Sequence, residues 1–162
     1  MENGLLDCEQ YLEEAMAEHA TAQCPPLLAQ ALNYAVFPGG ARVRPKICKA
    51  VALANNSSDV GLANAAASAI ELLHCASLVH DDLPCFDDAT QRRGKPSVHA
   101  KFGERIAVLT GDALIVAAFQ TLATHAIHAI RTERVPLVTA IVARGVGAPH
   151  GICAGQAWEC ER

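Results

Sequence analysis

The stretch ELLHCASLVHDDLPCFDDATQRRGK, Glu71 to Lys95, decides the fold. Up to Val79 it is almost continuously apolar, which reads as a buried helix. Beyond that, Asp81, Asp82, Asp87 and Asp88 stand just ahead of Arg92, Arg93 and Lys95. Pro84 ends the helix, because in a continuing helix its ring would meet the carbonyl of His80. Asp81 and Asp82 are thereby left at a helix C-terminus, where the dipole disfavours carboxylates by roughly several tenths of a kcal/mol. A hard cation with oxygen ligands offsets this. Mg2+ in particular shares its shell among one or two carboxylates, water and substrate phosphate. Asp87 would leave the Asp81 face of a straight helix, but the break at Pro84 lets the chain curl it back. Acids suited to a divalent metal, followed by bases suited to phosphate, point to a diphosphate held through metal ions. The alternative is a solvated acidic loop; the apolar helix feeding the acids and the arginines behind them favour the site.

The helix carrying this cluster is expected from about Val60 to Asp82, capped by Asp59 or Ser58. Its apolar residues surround it, which places it in the middle of a bundle. Gly61 to Val79 approaches the length of a membrane span but holds Asn64, Glu71 and His74, so a core helix and no transmembrane segment is expected.

Working outward, Leu5, Cys8, Leu12, Met16 and His19 recur at helical spacing in an amphipathic first helix. Pro25-Pro26 opens a second, with Leu28, Ala31, Leu32 and Ala35 on its apolar face and Pro38-Gly39-Gly40 as its stop. The segment Gly39-Gly40-Ala41-Arg42-Val43-Arg44-Pro45 offers paired glycines, two arginines and a helix start at Pro45, all features that suit an anion. A plain turn with two solvated arginines is an equal alternative. A third helix should run from Pro45 to Ala54. After a loop to Gly103, a fifth is expected from Arg105 to His128, burying Ile106, Leu109, Leu114, Ala117, Ala118, Thr121 and Leu122. Asp112 would pair with a neighbouring helix or face a cavity. His125 and His128 have no third ligand nearby and read as ordinary surface or core histidines. A sixth helix should cover Glu133 to Arg144, broken by Gly145 and Gly147. Pro149 suits the start of a seventh, with Ile152, Cys153, Gln156, Ala157 and Cys160 on one face.

The composition agrees with an all-α protein: 51% hydrophobic residues but only 4% aromatic, and much alanine. At 162 residues the chain is one domain's worth, with no linker or repeat to divide it. A net charge of −4 argues against nucleic acid as a partner. The seven cysteines form no C-x-x-C pair and read as reduced thiols of a cytoplasmic protein, several of them small core residues. No basic secretory n-region opens the chain.

Taken together, the motifs resemble those of the trans-prenyltransferase (polyprenyl synthetase) family, most of all its bacterial geranylgeranyl diphosphate synthases. The family's first aspartate-rich motif, DDxxxxD with a following RRG, matches Asp81–Asp87 and Arg92-Arg93-Gly94. Its Glu-Leu-Leu-His element matches Glu71–His74, its GGKRxRP element Gly39–Pro45, and its Gly-Gln pair Gly155-Gln156. The resemblance implies an isoprenoid-synthase-type antiparallel helical bundle around a deep apolar cavity, and a homodimer. It implies condensation of isopentenyl diphosphate with an allylic diphosphate, farnesyl or shorter. Asp81 and Asp87 would be the catalytic acids and the Mg2+ ligands, with Asp82 supporting. Arg92 would hold the allylic diphosphate; Arg44, His74 and Arg93 would hold isopentenyl diphosphate. Ala76 and Ser77, about one turn before Asp81, would leave room for a geranylgeranyl product, where farnesyl-forming members carry a bulky aromatic.

Two departures stand out. Ala41 replaces the family lysine, so Arg42 or Lys46 would have to supply that contact. No second aspartate-rich motif follows Gly-Gln, so residues 1–162 correspond to the N-terminal part of a single synthase domain, expected to lack full activity. A non-catalytic subunit of a heteromeric synthase is the alternative.

Overall fold

In the computed structural model, residues 8–19, 21–37, 40–125 and 132–161 are described. Their helices are α1 Cys8–Ala17, α2 Pro26–Val36, α3 Val43–Ala54, α4 Val60–Asp81, α5 Val98–Phe102, α6 Glu104–His125, α7 Val135–Val146 and α8 Ile152–Cys160. A short hairpin, β1 Gln91–Arg92 and β2 Lys95–Pro96, lies between α4 and α5, and a 3-10 turn, Thr132–Arg134, leads into α7.

α4 is the axis. Asp59 caps it, its Oδ1 accepting from Leu62 N–H at 3.1 Å, and the helix ends at Asp81 with Asp82 as its C-cap. Thirteen of its residues are buried, from Leu62 through Ala67 and Leu72 to Val79, as all-round apolarity requires. By length and composition both α4 and α6 are able to cross a membrane; the most apolar window of α4 is 78% buried by its neighbours. α6 lies along α4 in the most extensive pairing of the fold, with α3, α1, α2 and α7 also against α4. Leu12, Met16, Leu32, Val36, Leu72, Leu114 and Leu122 join one core. Small side chains at Ala65, Ala69, Ala76, Ala117 and Ala118, all within it, let the helices approach closely.

Several boundaries differ from expectation for identifiable reasons. α3 starts at Val43, two residues before Pro45, because Arg42 takes the left-handed conformation (φ 50°, ψ 41°) and becomes the N-cap. Residues 91–102, expected as loop, hold the hairpin and α5, whose Ser97 accepts from Ala100 N–H at 3.4 Å. α6 begins at Glu104, and Leu109 is 52% exposed rather than buried, since Ala107, Thr110 and Leu114 occupy the inner face. α7 runs through Gly145 to Val146 and α8 starts at Ile152, not Pro149. Leu5, Gly39 and His128 lie outside the described residues.

Arg42 fastens the first half of the bundle. Its Nη1 donates to Glu71 of α4 at 2.9 Å, its Nε and Nη2 to Glu9 of α1 at 2.8 and 3.0 Å, and Nη2 also to the Val36 carbonyl of α2 at 2.9 Å. Burial works against its charge, but the bonds to Glu9 and Glu71 outweigh it and hold the guanidinium above its ordinary pKa. Arg42 is thus a structural ion-pair residue and not an anion ligand. Removing it leaves the Glu71 carboxylate buried without its partner. Arg42→Met is expected to lower unfolding stability by about 3–5 kcal/mol and Arg42→Lys by less, both read from urea unfolding. A loss under about 1 kcal/mol for Arg42→Met would contradict this role.

Candidate functional site

The chain curls back after Pro84 as the acid spacing requires. Asp87 N–H donates to the Asp81 carbonyl at 2.9 Å, and the next amides bond to Leu83 and Asp82 at 3.1 Å each. Asp87 is thereby brought beside the end of α4. Burial first, and the Asp87 charge second, push the Asp81 carboxyl above its usual range. Two facing carboxylates at a helix C-terminus, one of them reluctant to ionise, form a hard oxygen donor set that suits Mg2+ with water and phosphate completing the shell. Among the described residues no group of three or more His, Cys, Asp or Glu comes together as a metal site.

Asp82 serves differently. Its side chain is 3% exposed and is held by Arg92, whose Nε donates to Oδ1 at 3.0 Å and Oδ2 at 3.3 Å while Nη2 meets Oδ1. Asp82 is the counter-ion of Arg92, a partly exposed side chain that keeps further donors to offer.

Two cavities meet at Asp81. One, about 540 Å³, is almost wholly apolar and is walled by Leu73, Ala76, Ser77 and His80 of α4, Phe86, and Ile115 of α6. Its far wall is α8, whose Ile152, Cys153, Gln156, Ala157 and Cys160 face it together, as their spacing predicts. The other, about 500 Å³, is lined by Arg44, Ile70, His74, Ser77 and Asp81 with Ile141, Val142 and Val146 of α7. Both volumes fall in the range of small-molecule sites, about 300–1,000 Å³. Burial first, then the Arg44 charge, with smaller contributions from Arg93 and Arg92, holds His74 below the usual histidine range against the opposing pull of Glu71. In its neutral form His74 has one N–H to donate.

Arg92 and Arg93 line a third, smaller cavity of about 200 Å³ across α4, with Tyr34, Asp82 and Lys95. The two arginines sit on the hairpin, where Arg92 pairs with Lys95 and the connecting residues Arg93 and Gly94 both have positive φ, 54° and 75°. This is the pattern of a type I′ turn. The Arg93 guanidinium lies against Gly40: a Cβ there would come within 2.7 Å of Arg93 Cζ. The grouping expected from sequence is therefore partly rearranged, with Arg44 and His74 in one cavity and Arg93 acting on His74 electrostatically from the next.

His80 and Phe86, not singled out in the sequence, line the apolar cavity. His80 was findable, since it stands four residues after Ala76 on one helical face. Its ring rests on α6, where any Cβ at Gly111 would overlap it, and its Nε2 lies 3.3 Å from the Val108 carbonyl. Asp112 stands 3.7 Å from the same nitrogen, an ion pair only when the imidazole is protonated. Ala41 and Lys46 are exposed beside Arg44.

A family model described as "Polyprenyl synthetase" matches residues 25–162. The chain is 54% identical over 158 residues to a geranylgeranyl diphosphate synthase of Cereibacter sphaeroides, covering 94% of this chain and 54% of that protein. A geranylgeranyl diphosphate synthase of Rhodobacter capsulatus is 50% identical over 153 residues, with 94% and 52% covered. A solved geranyltransferase from Legionella pneumophila superposes with a TM-score of 0.84 at 36% identity, covering 94% of this chain and 51% of that one. The helical bundle is thus the isoprenoid synthase fold, and the chain spans about half the length of these relatives.

The contact of Arg93 with Gly40 is testable without any organic ligand. Gly40→Ala should leave stability within about 1 kcal/mol, because the far end of an arginine yields easily. It should weaken inorganic pyrophosphate binding roughly tenfold by calorimetry, the size of a lost charge-assisted bond. Unchanged affinity would show that the contact of Arg93 with Gly40 takes no part in anion binding.

Proposed function

Because the chain belongs to the polyprenyl synthetase family, we propose that it carries the diphosphate-binding half of a geranylgeranyl-type prenyltransferase site. The observation that carries this reading is the meeting of two largely apolar cavities at Asp81, one of which also carries Arg44 and His74 in its lining. Isopentenyl diphosphate would sit with its phosphates toward Arg44, His74 and Arg93. An allylic diphosphate would place its phosphates beside Asp81 and Asp87 and its hydrocarbon tail in the apolar cavity, with Arg92 close enough to share its charge. Mg2+ held by Asp81 and Asp87 would supply positive charge to the departing pyrophosphate. The chain's own part is to hold the two diphosphates in register, to keep water from the apolar chamber, and to present a neutral N–H from His74. The isopentenyl double bond would attack the allylic carbon as its bond to pyrophosphate breaks, and proton loss would restore a double bond.

The product-length reading rests on Ala76 and Ser77. Both line the apolar cavity with Asp81, so bulk there would shorten the space beneath the acids. The relatives' names, geranylgeranyl diphosphate synthases, support the same length. A homodimeric, cytoplasmic protein goes with this reading, and the free cysteines are in keeping with a reducing compartment.

Titration with farnesyl diphosphate is the direct check. With Mg2+ present it should bind, and Asp81→Asn should weaken it by at least about 100-fold, as loss of a metal ligand does. Ala76→Tyr should weaken farnesyl diphosphate more than about tenfold by overfilling the cavity while sparing the five-carbon dimethylallyl diphosphate. Equal loss for both ligands would sink the length assignment, and Mg2+-dependent binding untouched by Asp81→Asn would sink the metal assignment.

A further inference from the structure

The hairpin bearing Arg92 and Arg93 is too short to hold itself in place. Its register pairs Arg92 with Lys95 next to the turn and Gln91 with Pro96 behind it. In a hairpin with a two-residue turn the first of these is the hydrogen-bonded pair, so the second is not, and the Pro96 carbonyl points away from its partner strand. Pro96 also has no N–H to give. The next pair is bonded again, Ser97 N–H to the Thr90 carbonyl at 3.0 Å.

The outward carbonyl has one side-chain donor among the described residues. Tyr34 of α2 gives its hydroxyl hydrogen to the Pro96 oxygen at 2.8 Å across a sequence separation of 62. The Tyr34 ring is itself fixed from two sides. Lys101 of α5 places its ammonium 3.9 Å from the ring centroid, and Phe102 meets it edge-on at 5.4 Å between centroids. Lys95, also on the hairpin, lies 6.0 Å from the same centroid. Tyr34 and both arginines line the same small cavity.

We propose that Tyr34 is a positioning residue for the diphosphate site: through Pro96 it sets the height of the hairpin over α2 and so the reach of Arg93 toward His74 and Gly40. The hydroxyl touches no substrate in this arrangement; it acts through the backbone on which Arg93 stands. Arg92 is tied down separately by Asp82, so the effect falls mainly on Arg93. The proposal rests on the assignment of Arg93 to isopentenyl diphosphate.

Tyr34→Phe keeps the ring, its packing and its cation contact while removing only the hydrogen bond. Calorimetric titration with isopentenyl diphosphate should show a loss of about three- to tenfold, the size of one neutral hydrogen bond. Arg93→Gln should lose more, and Tyr34→Phe added to Arg93→Gln should lose nothing further. Amide exchange at residues 90–97 should speed up in Tyr34→Phe with no ligand present, while Arg93→Gln leaves it unchanged. If Arg93→Gln weakens binding but Tyr34→Phe does not, or if the two losses simply add, the positioning role is wrong and the site stands. If Arg93→Gln leaves binding intact, the site assignment itself fails. Unchanged exchange at residues 90–97 in Tyr34→Phe overturns the anchoring whatever the titrations give.

Discussion

A single buried guanidinium ties together the elements on which the site depends. Arg42 bonds to Glu9 on α1, Glu71 on α4 and the Val36 carbonyl at the end of α2, while its own left-handed backbone starts α3. Ion pairs of this kind have little net value against an apolar replacement, because desolvation consumes most of the Coulombic gain. Their consequence is geometric: Arg42 and Glu71 are both buried and neither is tolerated alone, so the start of α3 cannot slide along α4 independently. Arg44, two residues on, and His74, three residues after Glu71, are thereby set on one cavity wall. The same pattern that looks like an anion loop in sequence is divided between a structural arginine and a solvent-facing one.

Around α4, charge is arranged by neighbours rather than by number. Four acids follow one another closely, yet Asp82 is consumed by Arg92 and only Asp81 and Asp87 face each other where a cation would be useful. On the opposite side, burial first and the Arg44 charge second hold His74 below the usual histidine range. The helix C-terminus adds its partial negative charge to the acids.

Much of this was legible in the sequence because strong local rules agreed. Pro84 had to end α4, an all-round apolar helix had to be central, and Asp87 had to curl back if it met Asp81 at all. The α8 face toward the cavity followed from periodicity alone. What stayed hidden involved distant or unusual partners. Nothing local says that Arg42 meets a glutamate 29 residues away. The hairpin has no local signal, because its turn places arginine at positive φ, where asparagine or aspartate is usual. Leu109 faces outward because Ala107, Thr110 and Leu114 take the inner face of α6, on which the His80 ring also rests at Gly111.

In the function proposed above, two diphosphate sites of different chemistry share one helix. In the proposed reading one would rely on carboxylates and therefore on a divalent cation; the other would rely on arginines and a histidine and would not. Calorimetric titrations with farnesyl diphosphate and with isopentenyl diphosphate, each with Mg2+ and then with EDTA, test it most directly. EDTA is expected to abolish farnesyl diphosphate binding and to leave isopentenyl diphosphate binding within about twofold, and both ligands are expected to bind together when Mg2+ is present. Loss of both in EDTA, or mutual exclusion with Mg2+ present, would contradict it.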